Sequence, residues 1–308
     1  GSVEVVKVLL DAGADMEAQD DDEETVVHTA VCFEQIKVLR ELVKRNASLE
    51  VVGTHGAPLH RAADRGAVEA VQELIAAGAT VDVLDEWLRS PLHYAADQGH
   101  SGVVTLLLDK GANPDHVPEN MKSALHIAAT EGYPEVVSAL IAGGATVDVQ
   151  DKMKRTPLHV AVEENHIHVI NSLLAGGAAC DIETNKNVTA LYLAVEKGSV
   201  EAVSALLAGG ASTGRNSFGS TPLNEALIGG HDDIANLLLD ANAAVNLTDE
   251  DTGNSPLIIA SYFGKTSLVQ RLLQLGADAN VRSVEGKTAL EYAEAEGNTD
   301  TVAALREG

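Results

Sequence analysis

Thr156-Pro157-Leu158-His159-Val160-Ala161 decides the architecture of this chain, because the same phrase returns along its whole length. Close copies read Ala57-Pro58-Leu59-His60-Arg61-Ala62, Ser90-Pro91-Leu92-His93-Tyr94-Ala95 and Ser123-Ala124-Leu125-His126-Ile127-Ala128. Weaker copies begin at Thr25, Thr189, Thr221, Ser255 and Thr288. Successive starts lie 32, 33, 33, 33, 33, 32, 34 and 33 residues apart. A fixed period of this size marks a stacked repeat array, in which no single unit can bury its apolar faces alone. Each phrase opens a helix. Thr or Ser stands at eight of the nine first positions, where a hydroxyl satisfies free backbone N–H groups. Pro follows at five, in the first turn, where its missing N–H costs nothing.

The helix closes at a residue that must accept a left-handed backbone: Gly66, Gly99, Gly132, Gly198, Gly230, Gly264 and Gly297, with Asn165 as the one asparagine. A second helix follows, with an apolar face such as Val103, Val104, Leu106, Leu107 and Leu108. It ends at Gly78, Gly111, Gly144, Gly177, Gly210 and Gly276, or at Asn46 and Asn242. Substitution by Asn alone identifies both positions as steric C-caps. Glu34 breaks the pattern, so a distorted turn is expected there.

Phrase, period and the Gly-Ala that follows the second helix together resemble the ankyrin repeat, over essentially all 308 residues. The resemblance implies an all-α repeat solenoid, a curved elongated array of helix-turn-helix units, each with a β-hairpin finger such as Thr146-Val147-Asp148-Val149. One ankyrin domain over residues 1–308 is expected: a partial repeat at 1–20, nine further repeats, and a C-terminal cap at 286–308. The opening Gly1-Ser2-Val3-Glu4 matches Gly198-Ser199-Val200-Glu201, the second half of a unit, which suggests a fragment of a longer chain.

The net charge of −25 repels nucleic acid and anionic membrane surfaces. No apolar run is long enough to span a bilayer. Two cysteines, Cys32 and Cys180, lie four repeats apart and are not expected to pair, so a reducing compartment, cytoplasm or nucleus, is expected. The acidic run Asp20-Asp21-Asp22-Glu23-Glu24 reads as a solvated finger tip, with docking of a cation as the alternative.

Eleven histidines invite a metal or catalytic reading, and the repeat absorbs most of them. His28, His60, His93, His126 and His159 belong to the phrase, where the resemblance implies hydrogen bonds to the neighbouring finger backbone. His100, His166 and His231 follow the helix-closing residue, and His55, His116 and His168 are scattered. No zinc spacing, phosphate loop or nucleophile–base motif is present, so no enzyme, cofactor or metal is expected. In some ankyrin domains finger asparagines such as Asn246 and Asn280 are hydroxylated; a purely structural role is preferred for them.

Similar ankyrin domains bind partners with finger tips and the exposed side of the first helix. The variable positions there lie four, three and one before the phrase start, and seven and eight after it. All three Phe and the single Trp fall on them: Phe33, Trp87, Phe218 and Phe263, with Tyr262 and Ile228 beside them. The repeat core is built from Ala, Leu, Val and Ile, so these rings are not needed for packing. Rings at such positions are candidate hot spots, against the plainer possibility that each leans on the next repeat. Arg89, Lys122, Lys152, Arg155 and Lys186 form a basic rim over Asp97, Glu131, Glu163, Glu164 and Glu196, which serves either a partner or internal charge balance. The sequence therefore predicts a non-catalytic scaffold, monomeric in isolation, that binds another protein through its groove. The alternatives are a segment that positions the effector domain of a larger enzyme or channel, and a structural subunit of a permanent assembly.

Overall fold

The structure, a computed structural model, describes residues 2–118, 122–217 and 219–307. By contact it divides into two compact units, Gly1–Lys152 and Met153–Gly308. In the first unit the phrases form α2 (Val26–Cys32), α4 (Pro58–Asp64), α6 (Pro91–Asp97) and α8 (Ala124–Glu131). The intervening helices are α1 (Val3–Asp11), α3 (Ile36–Lys44), α5 (Val68–Ala76), α7 (Ser101–Asp109) and α9 (Pro134–Ala142). Each helix packs against its counterpart one repeat away, so two layers form, α2-α4-α6-α8 and α1-α3-α5-α7-α9. The second unit repeats the plan. Its phrase layer is α10 (Pro157–Glu163), α12 (Ala190–Glu196), α14 (Pro222–Ile228), α16 (Pro256–Tyr262) and α18 (Ala289–Ala295). Its other layer is α11 (Ile167–Ala175), α13 (Val200–Ala208), α15 (Asp232–Asp240), α17 (Thr266–Gln274) and α19 (Thr299–Glu307). Among the described residues no helix is long and apolar enough to cross a membrane.

The core of each repeat is the phrase leucine between the layers: Leu59, Leu92 and Leu125 in one unit, Leu158, Leu191, Leu223 and Leu257 in the other, all buried. Burying one such side chain stabilises by roughly 1.5–3 kcal/mol. Paired alanines, Ala62-Ala63 and Ala95-Ala96, are also buried and let adjacent phrase helices approach closely. From phrase start to second cap the separation is constant, 21 residues both from Thr156 to Gly177 and from Ser255 to Gly276. The variation in repeat length therefore falls in the fingers.

Phrase histidines brace the fingers. His28 Nδ1 accepts the Thr25 N–H at 3.0 Å, which leaves Nε2 to donate to Gly56 O at 3.1 Å in the next finger. His60 does the same between Ala57 and Arg89, and His159 between Thr156 and Val188. His93 departs from the expected pattern. Its Nδ1 takes the Ser90 N–H at 3.2 Å, but its buried Nε2 has no hydrogen-bond partner among the described residues. Instead the ring meets His116 edge-on, with centroids 5.7 Å apart.

Two expectations are corrected. The turn at Glu34 is not distorted: Glu34 adopts φ 52°, and the bonds Glu34 N–H to Val31 O and Gln35 N–H to Ala30 O reproduce those at Gly66 and Ala67. The helix pair imposes the left-handed backbone and the side chain bears the strain. The fingers, in turn, are not hairpins of paired strands. The described residues hold one isolated bridge, Gly53 to Gly56, and the fingers at 20–24, 85–89, 184–188 and 283–287 are tight turns, such as that closed by Asp85 N–H to Arg89 O at 3.0 Å.

What ties finger to finger is a side-chain ladder that the sequence reading missed. Four residues beyond the second cap stands, in six repeats, an acceptor that receives a backbone N–H from two residues beyond the next cap; Gly214, four beyond Gly210, interrupts the series. Glu17 accepts from Ser48, Glu50 from Thr80, Asp82 from Asn113 and Asp115 from Thr146, the last at 2.7 Å. In the second unit Asp181 accepts from Ser212 and Asn246 from Asp278, both at 2.9 Å. Asn246 also donates through Nδ2 to Gly276 O at 3.1 Å, which gives it a structural role.

Candidate partner-binding groove

In the second unit, Ile228 at the end of α14 and Tyr262 and Phe263 at the end of α16 face an open groove of about 650 Å³. Helix geometry puts them there: seven and eight residues after the phrase start is the last turn of the first helix, on the side away from the second layer. They are 54%, 43% and 45% exposed, whereas Ile258 and Ile259 behind them are buried. Tyr262 stands perpendicular to Phe263 with centroids 5.0 Å apart, and near-perpendicular to Tyr292 of α18 at 6.1 Å. Such edge-to-face contacts fix the rings without covering them. Phe218, the other aromatic expected here, lies outside the described residues.

The groove is acidic as well as aromatic. Glu225, Asp249, Asp251 and Glu285 line it, and among the described residues no Lys or Arg does. Glu225 accepts a hydrogen bond of 2.6 Å from the Tyr192 hydroxyl. Burial, reinforced by that bond, pushes the Tyr192 phenol up to about 12, so it stays protonated and donating. Asp249 is spent on its own turn, accepting from the Thr252 N–H and hydroxyl. Glu285 pairs with Lys287 at 2.9 Å, and the Lys287 ammonium sits 5.2 Å from the centre of the Tyr292 ring.

The other candidates are dispersed. In the first unit Trp87 is 51% exposed on its finger, with the Arg89 guanidinium 4.9 Å from its ring and 4.2 Å from that of Tyr94. Arg89 also pairs with buried Asp85 at 2.8 Å, as does the Tyr94 hydroxyl. Burial alone would raise the Asp85 carboxyl, but hydrogen bonds from the Arg89 backbone, Tyr94 and the Arg89 guanidinium hold it below the usual range. Arg89 is thus engaged within its own repeat. Lys122 donates to Thr130 Oγ1 at 2.8 Å, and Arg155 pairs with Glu163 at 2.7 Å, joining rim to floor. Lys152 is exposed, and so is Phe33, the C-cap of α2. In the acidic finger, Asp20 Oδ1 accepts the N–H groups of Asp22 and Glu24, and Glu24 lies 3.3 Å from Arg61. No group of residues suited to a metal ion occurs among those described.

Sequence reasoning overlooked the position four after the phrase start, which supplies Tyr94, Glu225 and Tyr292. A tyrosine or glutamate where other repeats carry Ile127, Val160 and Ile259 was the available signal.

Comparison with known proteins bears on the whole chain. A family model described as ankyrin repeats (3 copies) matches residues 1–85, 51–117, 92–185, 158–251 and 241–308. The ankyrin repeat domain of Bcl-3, a member of the IkappaB protein family, superposes with a TM-score of 0.64 at 29% identity, covering 70% of this chain and 98% of that one. The DExH-box ATP-dependent RNA helicase DExH2 of Arabidopsis thaliana is 40% identical over 67 residues, 22% of this chain and 4% of that protein. Human ankyrin repeat and SOCS box protein 6 is 38% identical over 95 residues, 29% of this chain and 23% of that protein. This chain spans only a minor part of these two relatives. With the repeat model matched from residue 1 to residue 308, and the caps and layers of the fold in register with it, the chain belongs to the ankyrin-repeat family.

Proposed function

We propose that this chain is a non-catalytic interaction scaffold that takes a partner protein into the groove of Ile228, Tyr262 and Phe263. Ankyrin repeats are protein-interaction modules, and the observation that carries the choice of face is the convergence of three half-exposed apolar side chains on one groove. Exposed rings cost solubility unless a partner covers them, and covered rings are common hot spots. Trp87 and the cations Arg89, Lys122, Lys152 and Arg155 act as secondary contacts, and Phe33 and Phe218 extend the same repeat positions. Two free cysteines support a reducing setting, cytoplasm or nucleus. A single ankyrin array over 1–308, monomeric in isolation, is part of the same proposal. The short span of the curated relatives supports a second role, an array that positions an effector domain of a larger protein.

The test is quantitative capture of partners by the wild-type chain and by a Tyr262→Ala/Phe263→Ala variant. Each change should alter stability by no more than about 0.5 kcal/mol, as surface substitutions do, and the pair should weaken binding by about 2 kcal/mol or more. Partners retained equally by both proteins would place recognition on another face.

A further inference from the structure

The residue just before each phrase start is basic in four repeats: Arg89, Lys122, Arg155 and Lys287. In each, the structure uses that cation inside its own repeat. Arg89 lies against Tyr94, and Lys287 against Tyr292, each also beside a carboxylate. Lys122 reaches Thr130 and Arg155 reaches Glu163, both on the following helix. Five repeats lack the cation, Glu24, Gly56 and Val188 standing there in three of them, and the other two are those that supply Glu225, Ile228, Tyr262 and Phe263 to the groove. There the same position holds Ser220 and Asn254, both neutral and both lining the groove. The acidic and aromatic parts nevertheless remain, as Glu225, Asp251, Tyr262 and Phe263. Among the described residues neither Glu225 nor Asp251 joins an ion pair.

We propose that the missing cation is supplied by the partner: the groove takes an arginine or lysine side chain, flanked by an apolar residue, from a peptide segment of another protein. The head group lies against Glu225 and Asp251, and the apolar neighbour and the aliphatic stem cover Ile228, Tyr262 and Phe263. Ring faces attract such a head group, and guanidinium most of all, because it is planar and weakly hydrated. The chain's own Arg89, stacked between Trp87 and Tyr94 over Asp85, shows the same assembly closed internally. The proposal rests on partner binding in this groove and adds the chemistry of what is bound.

The probe is a phage-displayed library of random peptides panned against the full chain, with selected peptides then synthesised and titrated by fluorescence polarisation. Selected sequences should carry Arg or Lys beside an apolar residue, and Tyr262→Ala should weaken them about thirtyfold or more. Glu225→Gln/Asp251→Asn, which keeps shape and removes charge, should weaken them and flatten the salt dependence. Asn254→Arg should restore an internal cation and block the peptides, with Asn254→Met, similar in bulk but uncharged, blocking less. Peptides that depend on Tyr262 but lack a basic residue, or ignore the two neutralised carboxylates, would overturn the cation and leave the groove standing. A library yielding no peptide sensitive to Tyr262→Ala would overturn both.

Discussion

Two buried polar residues depart from the repeat and carry consequences for stability. Burial, helped by the charges of the neighbouring His116 and Arg89 and opposed by the His116 backbone and by Asp85, holds the His93 imidazole down at about 4. Its folded value lies below its unfolded value, so the folded state binds fewer protons, and stability present above about pH 6.5 is lost as pH falls towards about 4. The full effect is about 3 kcal/mol. Urea titrations of wild type and His93→Gln should show their difference shrinking over that range; a constant difference would mean that His93 does not titrate with folding. Asn224, which replaces the phrase histidine, is buried, and neither its Oδ1 nor its Nδ2 has a partner among the described residues. Its side chain is too short to copy the bond that His159 makes to Val188 O. Asn224→His should therefore raise stability by about 1 kcal/mol, read as a shift of the denaturant midpoint. An unchanged or lower midpoint would indicate that the cavity cannot accept the ring.

Helices and fingers were unequally legible. Thr156-Pro157-Leu158-His159 states its helix start, its first turn and its core leucine in consecutive residues, so the phrase helices follow from local chemistry alone. The second caps follow equally well, because a left-handed backbone selects Gly or Asn whatever surrounds it. The carboxylate ladder was not legible, because its partners lie some thirty residues apart and nothing local distinguishes Asp115 from a solvated acid. The groove was half legible. Tyr262 and Phe263 announce themselves by size, whereas Glu225 matters only through where Tyr192 and Tyr262 come to rest. For the ladder, Asp115→Ala should cost about 1 kcal/mol and Asp115→Asn much less, since an amide oxygen still accepts. Amide exchange at Thr146 is the direct measurement, and unchanged protection in Asp115→Ala would show that water replaces the rung.

On the scale of the whole molecule, stability should be graded along the repeats, because each helix pair is held mainly by its neighbours. Helix α1 contains no fully buried residue; Val5, Val8 and Leu9 are all exposed, and it packs chiefly on α3. Hydrogen exchange by mass spectrometry should therefore be faster through α1 than through α5 or α13, whose inner faces are buried. Equal protection would mean that α1 is held by contacts not seen in this structure. The ladder also changes how the acidity of the protein is understood. Glu17, Glu50, Asp82, Asp115 and Asp181 carry negative charge at the same position of their repeats because a carboxylate makes the strongest rung for a backbone N–H. Part of the −25 is thus masonry rather than message. A lengthened array of this pattern would grow more anionic with every course laid, whatever it had been selected to hold.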